Sequence, residues 1–338
     1  MQLAIDKVIN YKDLTENEMI RVMSIIMEGK ATPSQIGGFL TALRMKGETL
    51  EEITGAVKVM RDKSIKIETN NRYTVDTCGT GGDKSNTFNI STAAAFVAAA
   101  SSLTIVKHGN RSVSSKCGSA DVLESLGVNI NLSPLDVKRC IDELQIGFIF
   151  APNFHQTMKH AVDSRRELGI RTIFNVLGPL TNPSNPKGQV LGVFDEDLTS
   201  TLIRVLMELG LERGMVVHGM DGLDEITITT KTKVAELKDG KIKEYYLNPK
   251  DYGITFGKLE EITGGDPKEN ARILLDVLKG EKGPRRDMVL LNAGATMYVG
   301  NVVSTLGEGI EKSREMIDKG FALDKLNQLI NLSQEMKQ

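Results

Sequence analysis

The chain of 338 residues contains no tryptophan, and aromatic residues make up only 5% of it. Proteins that bind single-stranded nucleic acid stack bases on aromatic side chains, so this composition argues against such a role. The net charge is −2, from 42 basic and 44 acidic residues, which leaves no excess of positive charge for a phosphate backbone. The composition therefore predicts an ordinary globular protein that does not bind nucleic acid.

Cysteine and long apolar runs are also scarce. Cys78, Cys117 and Cys140 are odd in number and match neither a CxxC motif nor a metal-ligand spacing. This pattern indicates a reducing compartment, and we expect the protein in the cytoplasm. The longest apolar run, residues 93–100, is too short to span a bilayer, and the N-terminal stretch carries early acids without an unbroken apolar core. We therefore expect neither a membrane span nor a signal peptide.

The first 65 residues have the pattern of a small helical bundle. Thr15 is placed to cap a helix with Glu16 and Glu18 in its first turn. Thr32 followed by Pro33 is a typical helix start, and that helix is expected to end at Gly47. Thr49 has capping-box spacing to Glu52 at the start of a third helix. No strand pattern intervenes, so we predict an all-α unit.

After about residue 72, short β-branched runs alternate with helical stretches. The runs are "TVDT", "LTIVKH", "IGFIFAP", "QVLGVFD" and "GMVVHG". Such alternation is typical of parallel βαβ units with helices on both faces of the sheet. The later segment "EITITTKTKVAELKDGKIKEYYL" alternates strictly and contains Asp239-Gly240, which predicts a hairpin. The chain from about residue 267 is predicted to be mainly helical. We therefore predict an α/β fold with a mostly parallel sheet beside the small helical domain.

Residues 76–92, "DTCGTGGDKSNTFNIST", form a glycine-rich loop between a strand and a helix. The stretch is not a dinucleotide fingerprint, because Lys84 stands at the third glycine position, and it is not a Walker loop, because Asp83 precedes that lysine. Glycines allow successive N–H groups to converge on an anion, and a helix start favours negative charge. The simpler alternative is a tight turn with a helix cap. Asp83 suits a ligand that also offers hydroxyl groups or a cation.

A second loop, "KHGNRSVSSKCGSAD", follows the next predicted strand and contains Lys107, Arg111, Lys116 and four serines. Ligands of open α/β sheets bind at the carboxyl ends of neighbouring strands, so the two loops together predict a ligand with more than one phosphate. Asp224 and Glu225, near the end of a later strand, suit a magnesium ion that shares substrate phosphates. Alone, this pair would be interpreted as a solvated acidic turn.

The stretch from residue 153 to residue 183 suggests a pocket for a ring. If residues 155–168 form one helix, His155, Met158, Val162 and Arg165 share a face, and the arginine could bind a carboxylate in a planar fork. The alternative is an ordinary apolar stripe with Arg165 in a surface ion pair.

Four of these stretches together resemble one family. The sequences "DTCGTGGDKSNTFNIST", "VKHGNRSVSSKCGSADVLESLG", "RELGIRTIFNVLGPLTNP" and "VVHGMDGLDE" are similar to the anthranilate phosphoribosyltransferases of tryptophan biosynthesis, and the resemblance extends through "LNAGATMYVGN". It implies transfer of a phosphoribosyl group from 5-phosphoribosyl diphosphate to anthranilate, with Mg²⁺, in a homodimer formed through the helical domain. It implies a helical domain of residues 1–70, joined by part of 165–185, and an α/β domain of residues 71–338 of the nucleoside phosphorylase and phosphoribosyltransferase type.

The resemblance also assigns roles to individual residues. Lys107, Asn110 and Arg165 are expected to be catalytic, and Ser91, Asp224 and Glu225 to bind the metal. Gly79, Asn110 and Arg165 are expected to contact anthranilate, with His155 beside its channel. The full set of expected substrate-binding residues is Gly79, Gly82, Asp83, Thr87, Asn89, Ile90, Ser91, Thr92, Lys107, His108, Gly109, Asn110, Arg111, Ser112, Val113, Ser114, Ser115, Ser119, His155 and Arg165.

Two other functions remain open at the level of sequence. A pyrimidine-nucleoside phosphorylase would share the architecture and the "KHG" style of loop, although Arg165 and "NVLGPLTNP" favour anthranilate. A sensor of sugar phosphates could retain the fold without catalysis, although the loops and the acid pair argue against that.

Overall fold

The computed structural model describes residues 1–71, 73–83, 85–112 and 116–336. Its N-terminal part contains the helices α1 (Gln2–Ile9), α2 (Glu16–Met27), α3 (Pro33–Lys46) and α4 (Leu50–Asp62). The side chains of Thr15, Thr32 and Thr49 cap α2, α3 and α4 as predicted, and α3 ends at Gly47. Each threonine accepts a bond from the amide of the third helical residue, whose side chain bonds back to the threonine amide.

In the described part of the chain, seven strands form one sheet in the order β3-β2-β1-β4-β5-β6-β7. Their bounds are β1 Val75–Gly79, β2 Ile105–Gly109, β3 Ile146–Phe150, β4 Gly188–Gly192, β5 Arg213–Gly219, β6 Thr232–Lys238 and β7 Lys241–Leu247. The first five strands are parallel, while β6 and β7 are antiparallel. Asp239 and Gly240 join β6 to β7 with φ of 51° and 70°, as a primed hairpin turn requires. The predicted mostly parallel sheet and hairpin are confirmed.

The remaining helices are α5 Ile90–Ala99, α6 Ser119–Ser125, α7 Pro134–Leu144, α8 Ala151–Phe154, α9 Lys159–Leu168, α10 Phe174–Leu180, α11 Leu198–Glu208, α12 Pro267–Leu278, α13 Pro284–Val299, α14 Leu306–Asp318 and α15 Phe321–Glu335, with 3₁₀ turns at Gln156–Met158, Pro249–Tyr252 and Leu259–Ile262. Most of these helices lie over the sheet, while α9 and α10 pack against the N-terminal bundle. The predicted helical C-terminal region is confirmed. None of the described helices is long and apolar enough to cross a bilayer.

Strand side chains alternate between two apolar clusters. Val190 packs into a cluster with α5, α7 and the C-terminal helices, and Leu191 packs into one with the N-terminal bundle and α11. Ile173 and Leu177 belong to this second cluster. Their packing is in keeping with the expected joining of part of 165–185 to the helical domain, and the domain boundaries stay a prediction.

The postulated single helix over residues 155–168 is wrong. Helix α8 ends at Phe154, and His155 has φ −112° and ψ 58°, which is not helical. A 3₁₀ turn follows, and α9 begins at Lys159. His155 is buried while Val162 is 44% exposed, so the two do not share one face. The break allows the imidazole of His155 to pack against that of His108, with ring centroids 5.1 Å apart.

A fully buried carboxylate ties the helical bundle together. Glu52 is 0% exposed, and its oxygens accept bonds from the amide of Leu14 (2.9 Å), the amide of Thr49 (2.8 Å) and the ammonium of Lys46 (3.0 Å). These contacts join the loop before α2, the end of α3 and the start of α4. A buried ion is tolerated only when it is paired and hydrogen-bonded in this way.

We expect Glu52→Ala to lower the free energy of unfolding by about 3 kcal/mol, because it leaves the buried Lys46 ammonium without this partner and removes half of a capping box. Glu51→Ala, at an exposed position of the same helical turn, is the matched control and should cost less than about 1 kcal/mol. Urea denaturation of both variants measures the difference. Equal losses of unfolding free energy in the two variants would show that the buried contacts of Glu52 do not stabilise the bundle more than an exposed glutamate does.

Candidate active site

The carboxyl ends of β1 and β4 support the turn of residues 219–229, which carries Asp224 and Glu225. A Cβ atom on Gly79 would lie 2.2 Å from Asp224 Oδ2, and one on Gly192 would lie 1.6 Å from the Asp224 carbonyl oxygen. Glycine is therefore a steric requirement at position 192, where the collision is with main chain, whereas a side chain at position 79 would displace the Asp224 carboxylate. Glycine allows the turn to lie directly on the edge of the sheet where ligands of α/β proteins bind.

The first glycine loop bonds directly to the acid pair. Gly81 and Gly82 have φ of 67° and 76°, and the amide of Gly81 donates to Asp224 Oδ2 at 2.6 Å. Asp83 accepts bonds from the amide and the hydroxyl of Ser85. Thr87 forms an isolated bridge with Thr263. The predicted anion loop thus has an exposed amide whose present partner is a carboxylate.

The start of α5 also faces the acid pair. Asn89 stands at the N-cap position, yet its side chain makes no capping bond. The side-chain amide instead donates from Nδ2 to the carbonyl of Cys117 at 3.3 Å. The amide of Ser91 donates to Glu225 Oε1 at 3.2 Å, while Ile90 and Thr92 are buried. The simpler interpretation as a capped turn therefore does not describe this helix start, where the Ser91 amide binds a carboxylate from elsewhere in the chain.

Lys107 is the cation of this site. It is 4% exposed, and its ammonium donates to the carbonyl of Thr77 at 2.6 Å and to the hydroxyl of Ser91 at 3.2 Å. Burial lowers the pKa of Lys107, and the nearby carboxylates of Asp76 and Glu225 oppose that shift. The structure therefore brings Lys107 together with Ser91 and the acid pair.

Asp224 and Glu225 lie where negative charge accumulates. Burial, reinforced by Asp83, raises the pKa of Asp224 to about 7, and burial with Asp224 raises the pKa of Glu225 to about 8. Each carboxylate has lost water without gaining a full counter-charge, so the donor set fits a divalent cation with oxygen ligands. Among the residues that the structure describes, no three His, Cys, Asp or Glu side chains form a ready-made metal cluster. A metal here would need further oxygens, such as those of substrate phosphates or water.

The second loop is only partly described. Gly109 ends β2, and Asn110 accepts bonds from Ala120 and Ser119 through its carbonyl, at 3.2 Å and 3.4 Å. The guanidinium of Arg111 pairs with Asp121 (2.9 Å) and Glu124 (2.8 Å) on α6. The amide of Ser112 donates to Asp121 at 3.0 Å. Val113, Ser114 and Ser115, which were also predicted to bind substrate, lie outside the described residues.

Three more of the residues predicted to bind substrate are His108 and His155, whose rings lie side by side, and Arg165 on α9. Burial lowers the pKa of His108 to about 3 and that of His155 to about 4, so both imidazoles are neutral. Within the described chain, the Nε2 atom of each has no hydrogen-bond partner. Arg165 lies 5.0 Å from the ring centroid of Phe174, and no described carboxylate pairs with it. The alternative of a surface ion pair for Arg165 is therefore not what the structure contains.

Sequence patterns missed several residues that support these loops. Asp76, 0% exposed, accepts bonds from the amide of His108 (3.3 Å) and from the Asn182 side chain (2.9 Å), which also donates to the Val106 carbonyl (2.7 Å). A lone acid inside the strand "TVDT" was the available signal. Arg171 bonds to the carbonyl of Gly82 and lies 4.1 Å from the ring centroid of Phe194. No sequence pattern singled out Arg171.

The sequence is similar to known proteins over almost its whole length. Residues 2–64 match the model of the glycosyl transferase family helical bundle domain, and residues 71–323 match that of its a/b domain. An anthranilate phosphoribosyltransferase from Alkaliphilus metalliredigens is 65% identical over 100% of this chain and 99% of its own.

Solved structures agree with the sequence relatives. The anthranilate phosphoribosyltransferase of Thermus thermophilus matches with a TM-score of 0.93 and 41% identity over 98% of this chain and 99% of that one. The Saccharomyces cerevisiae enzyme in complex with PRPP and Mg matches with a TM-score of 0.85 and 31% identity over 95% and 92% of the two chains. The Saccharomyces cerevisiae enzyme in complex with 4-fluoroanthranilate matches with a TM-score of 0.90 and 29% identity, over 99% of this chain and 97% of that one. The chain therefore belongs to the anthranilate phosphoribosyltransferases, within the glycosyl transferase family that combines a helical bundle domain with an a/b domain.

Proposed function

We propose that the protein transfers the 5-phosphoribosyl group from 5-phosphoribosyl diphosphate to the amine of anthranilate, giving N-(5-phosphoribosyl)anthranilate and diphosphate in tryptophan biosynthesis. One observation carries the proposal. The main-chain amides of Gly81, in the glycine loop, and of Ser91, in the first turn of α5, donate to one pair of carboxylates beside the buried Lys107. Amides, a cation and two acids in one place suit a diphosphate bound together with a metal ion.

Transfer of the phosphoribosyl group requires positive and negative groups in this arrangement. Departure of diphosphate leaves positive charge on the ribose and puts negative charge on the leaving group, in an oxocarbenium-like transition state. Lys107 and the amides of Gly81 and Ser91 are proposed to stabilise the departing charge. The amine of anthranilate is already neutral at pH 7, so the enzyme must position it rather than deprotonate it. Asn110 and Arg165 are proposed to do so.

We propose that Asp224, Glu225 and the hydroxyl of Ser91 hold Mg²⁺. When bound, the ion would neutralise charge on the diphosphate leaving group. In the structure, the two carboxylates accept hydrogen bonds from the amides of Gly81 and Ser91, which would otherwise be free to bind phosphate oxygens. Turning the carboxylates toward a cation would therefore free both amides for the donor. This exchange makes binding of the metal and binding of the donor mutually dependent.

We expect the double variant Asp224→Asn, Glu225→Gln to raise the Mg²⁺ concentration for half-maximal turnover at least about tenfold, since neutral amides are weaker ligands than carboxylates, a loss of about 1.4 kcal/mol. Glu208→Gln, an exposed acid on α11, is the control for charge alone. Initial rates across a magnesium titration give the result. An unchanged titration would remove this pair from the metal site.

The acceptor site is proposed to use Arg165 for the anthranilate carboxylate, with His108 and His155 lining the approach to it. Burial lowers the pKa of Arg165, which indicates a guanidinium removed from water without a carboxylate partner among the described residues. A carboxylate ligand would satisfy it. The two neutral imidazoles lie next to each other, each with an Nε2 atom that has no partner among the described residues, and they suit an aromatic ring better than a phosphate.

Replacing Arg165 with alanine should raise KM for anthranilate at least about tenfold, which corresponds to the loss of about 1.4 kcal/mol from a charge-assisted bond. KM for 5-phosphoribosyl diphosphate should stay within about twofold, because Arg165 makes no bond to the described donor loops. Arg166→Ala, an exposed neighbour that pairs with Asp163, is the matched control. Steady-state kinetics with each substrate varied in turn measures both KM values. Equal increases in KM for anthranilate and for 5-phosphoribosyl diphosphate would contradict the assignment.

We further propose that two copies associate through the helical bundle, and we expect the enzyme in the cytoplasm. The bundle exposes large apolar side chains that its own core does not cover: Leu3 is 87%, Tyr11 67% and Met45 69% exposed. On α3, Gly37 and Gly38 leave open space where side chains would stand. Apolar groups and small residues on one bundle suit close packing against a second copy.

For this interface, Met45→Glu should convert a dimer into a monomer, because it would bury a carboxylate between two apolar surfaces. Leu135→Glu, at a position 78% exposed on α7, should leave the dimer intact. Light scattering after size-exclusion chromatography reports the mass. A wild-type monomer, or a Met45→Glu dimer, would refute the interface.

A further inference from the structure

Asn292 is a buried polar residue in an otherwise apolar stretch of α13. It is 1% exposed and lies between the fully buried Leu291 and Ala293. Its Oδ1 atom accepts a bond from the amide of Ile226 at 3.0 Å, and its Nδ2 atom donates to the carbonyl of Ile226 at 2.9 Å. The second Nδ2 proton bonds to the carbonyl of Met288, also at 2.9 Å. The side chain pairs with the backbone of Ile226 as a neighbouring strand would.

Ile226 immediately follows the acid pair. Its amide belongs to the same planar peptide unit as the carbonyl of Glu225, so fixing that amide fixes the end of the Glu225 backbone. The side chains of Leu223 and Ile226 are both 0% exposed and anchor the turn on either side of the two acids. Asp221 holds the other part of the turn by accepting bonds from Leu223 (3.2 Å) and Thr227 (2.6 Å).

We propose that Asn292 is a positioning residue of the metal site, holding the backbone at Ile226 so that Asp224 and Glu225 reach the amides of Gly81 and Ser91 and, with the donor present, the ion. This rests on the proposed function. A buried amide whose oxygen and both N–H groups are bonded is a rigid support, and its bonds to both polar groups of one residue leave that residue little freedom to rotate. Asn292 touches neither substrate nor metal in this arrangement.

A purely structural role would be to hold α13 against the sheet. The positioning role and the purely structural role predict different effects on a hydrogen bond that is distant from Asn292. In the ligand-free protein, the amide of Gly81 is protected by its bond to Asp224 Oδ2, which is remote from Asn292 along the chain. If Asn292 positions the acids, its removal must weaken that bond. If it only fastens a helix, stability falls and the Gly81 amide is unaffected.

The test uses Asn292→Ala and Asn292→Ser, with Thr296→Val as the matched control. Serine can still bond to the Met288 carbonyl one helical turn earlier but leaves Ile226 unpaired, so it keeps the test usable if the alanine variant does not fold. Thr296 is equally buried on the same helix and bonds to the Asn292 carbonyl at 2.8 Å, without touching the turn.

Hydrogen exchange of the Gly81 amide in the ligand-free protein should be at least about tenfold faster in the Asn292 variants, and the Mg²⁺ concentration for half-maximal turnover should rise at least about tenfold. KM for anthranilate should stay within about twofold. The Thr296→Val protein should match the wild type in all three. The proposal is overturned if the Asn292 variants unfold at lower temperature while Gly81 exchange stays at the wild-type rate. Because the exchange needs no substrate, this failure is distinct from an absence of transferase activity in the wild type.

Discussion

The site depends on the close approach of an acidic turn to the edge of the sheet. The turn that carries Asp224 and Glu225 lies so near the ends of β1 and β4 that a single methyl group on Gly79 or Gly192 would collide with it. This contact brings two carboxylates to the amides of Gly81 and Ser91. The loops, the acid pair and Lys107 form one site because the glycines leave no side chain in between.

The electrostatics follow from this crowding. Asp76, Asp224 and Glu225 share one region with the buried cation Lys107, and burial raises the pKa of all three acids. A site with surplus negative charge in surroundings of low dielectric constant attracts a divalent ion, and the ion then attracts an anionic ligand. The resting bonds between acids and amides keep the amides satisfied until such a pair arrives.

The C-terminal helices support the site from beneath. Asn270 on α12 donates to the side chain of Asn89 at 3.0 Å, and Asn292 on α13 holds Ile226. Both asparagines are 1% exposed, and an unpaired amide at such buried positions would be costly. Such residues act on segments far away in the chain, so periodicity does not mark this role, although Asn292 falls within the stretch "LNAGATMYVGN".

The sequence by itself determined the local structure and the chemical type of the site. Caps at Thr15, Thr32 and Thr49, the strand–helix alternation and the Asp239-Gly240 turn are short-range signals, and each was correct because propensity and capping act within a few residues. Only the tertiary structure decided that residues 155–168 break at His155, that Arg111 pairs with α6, and that Asp76, Asn182 and Asn292 hold the loops. These outcomes depend on contacts between segments far apart in the chain, whose burial and hydrogen bonds override local preference.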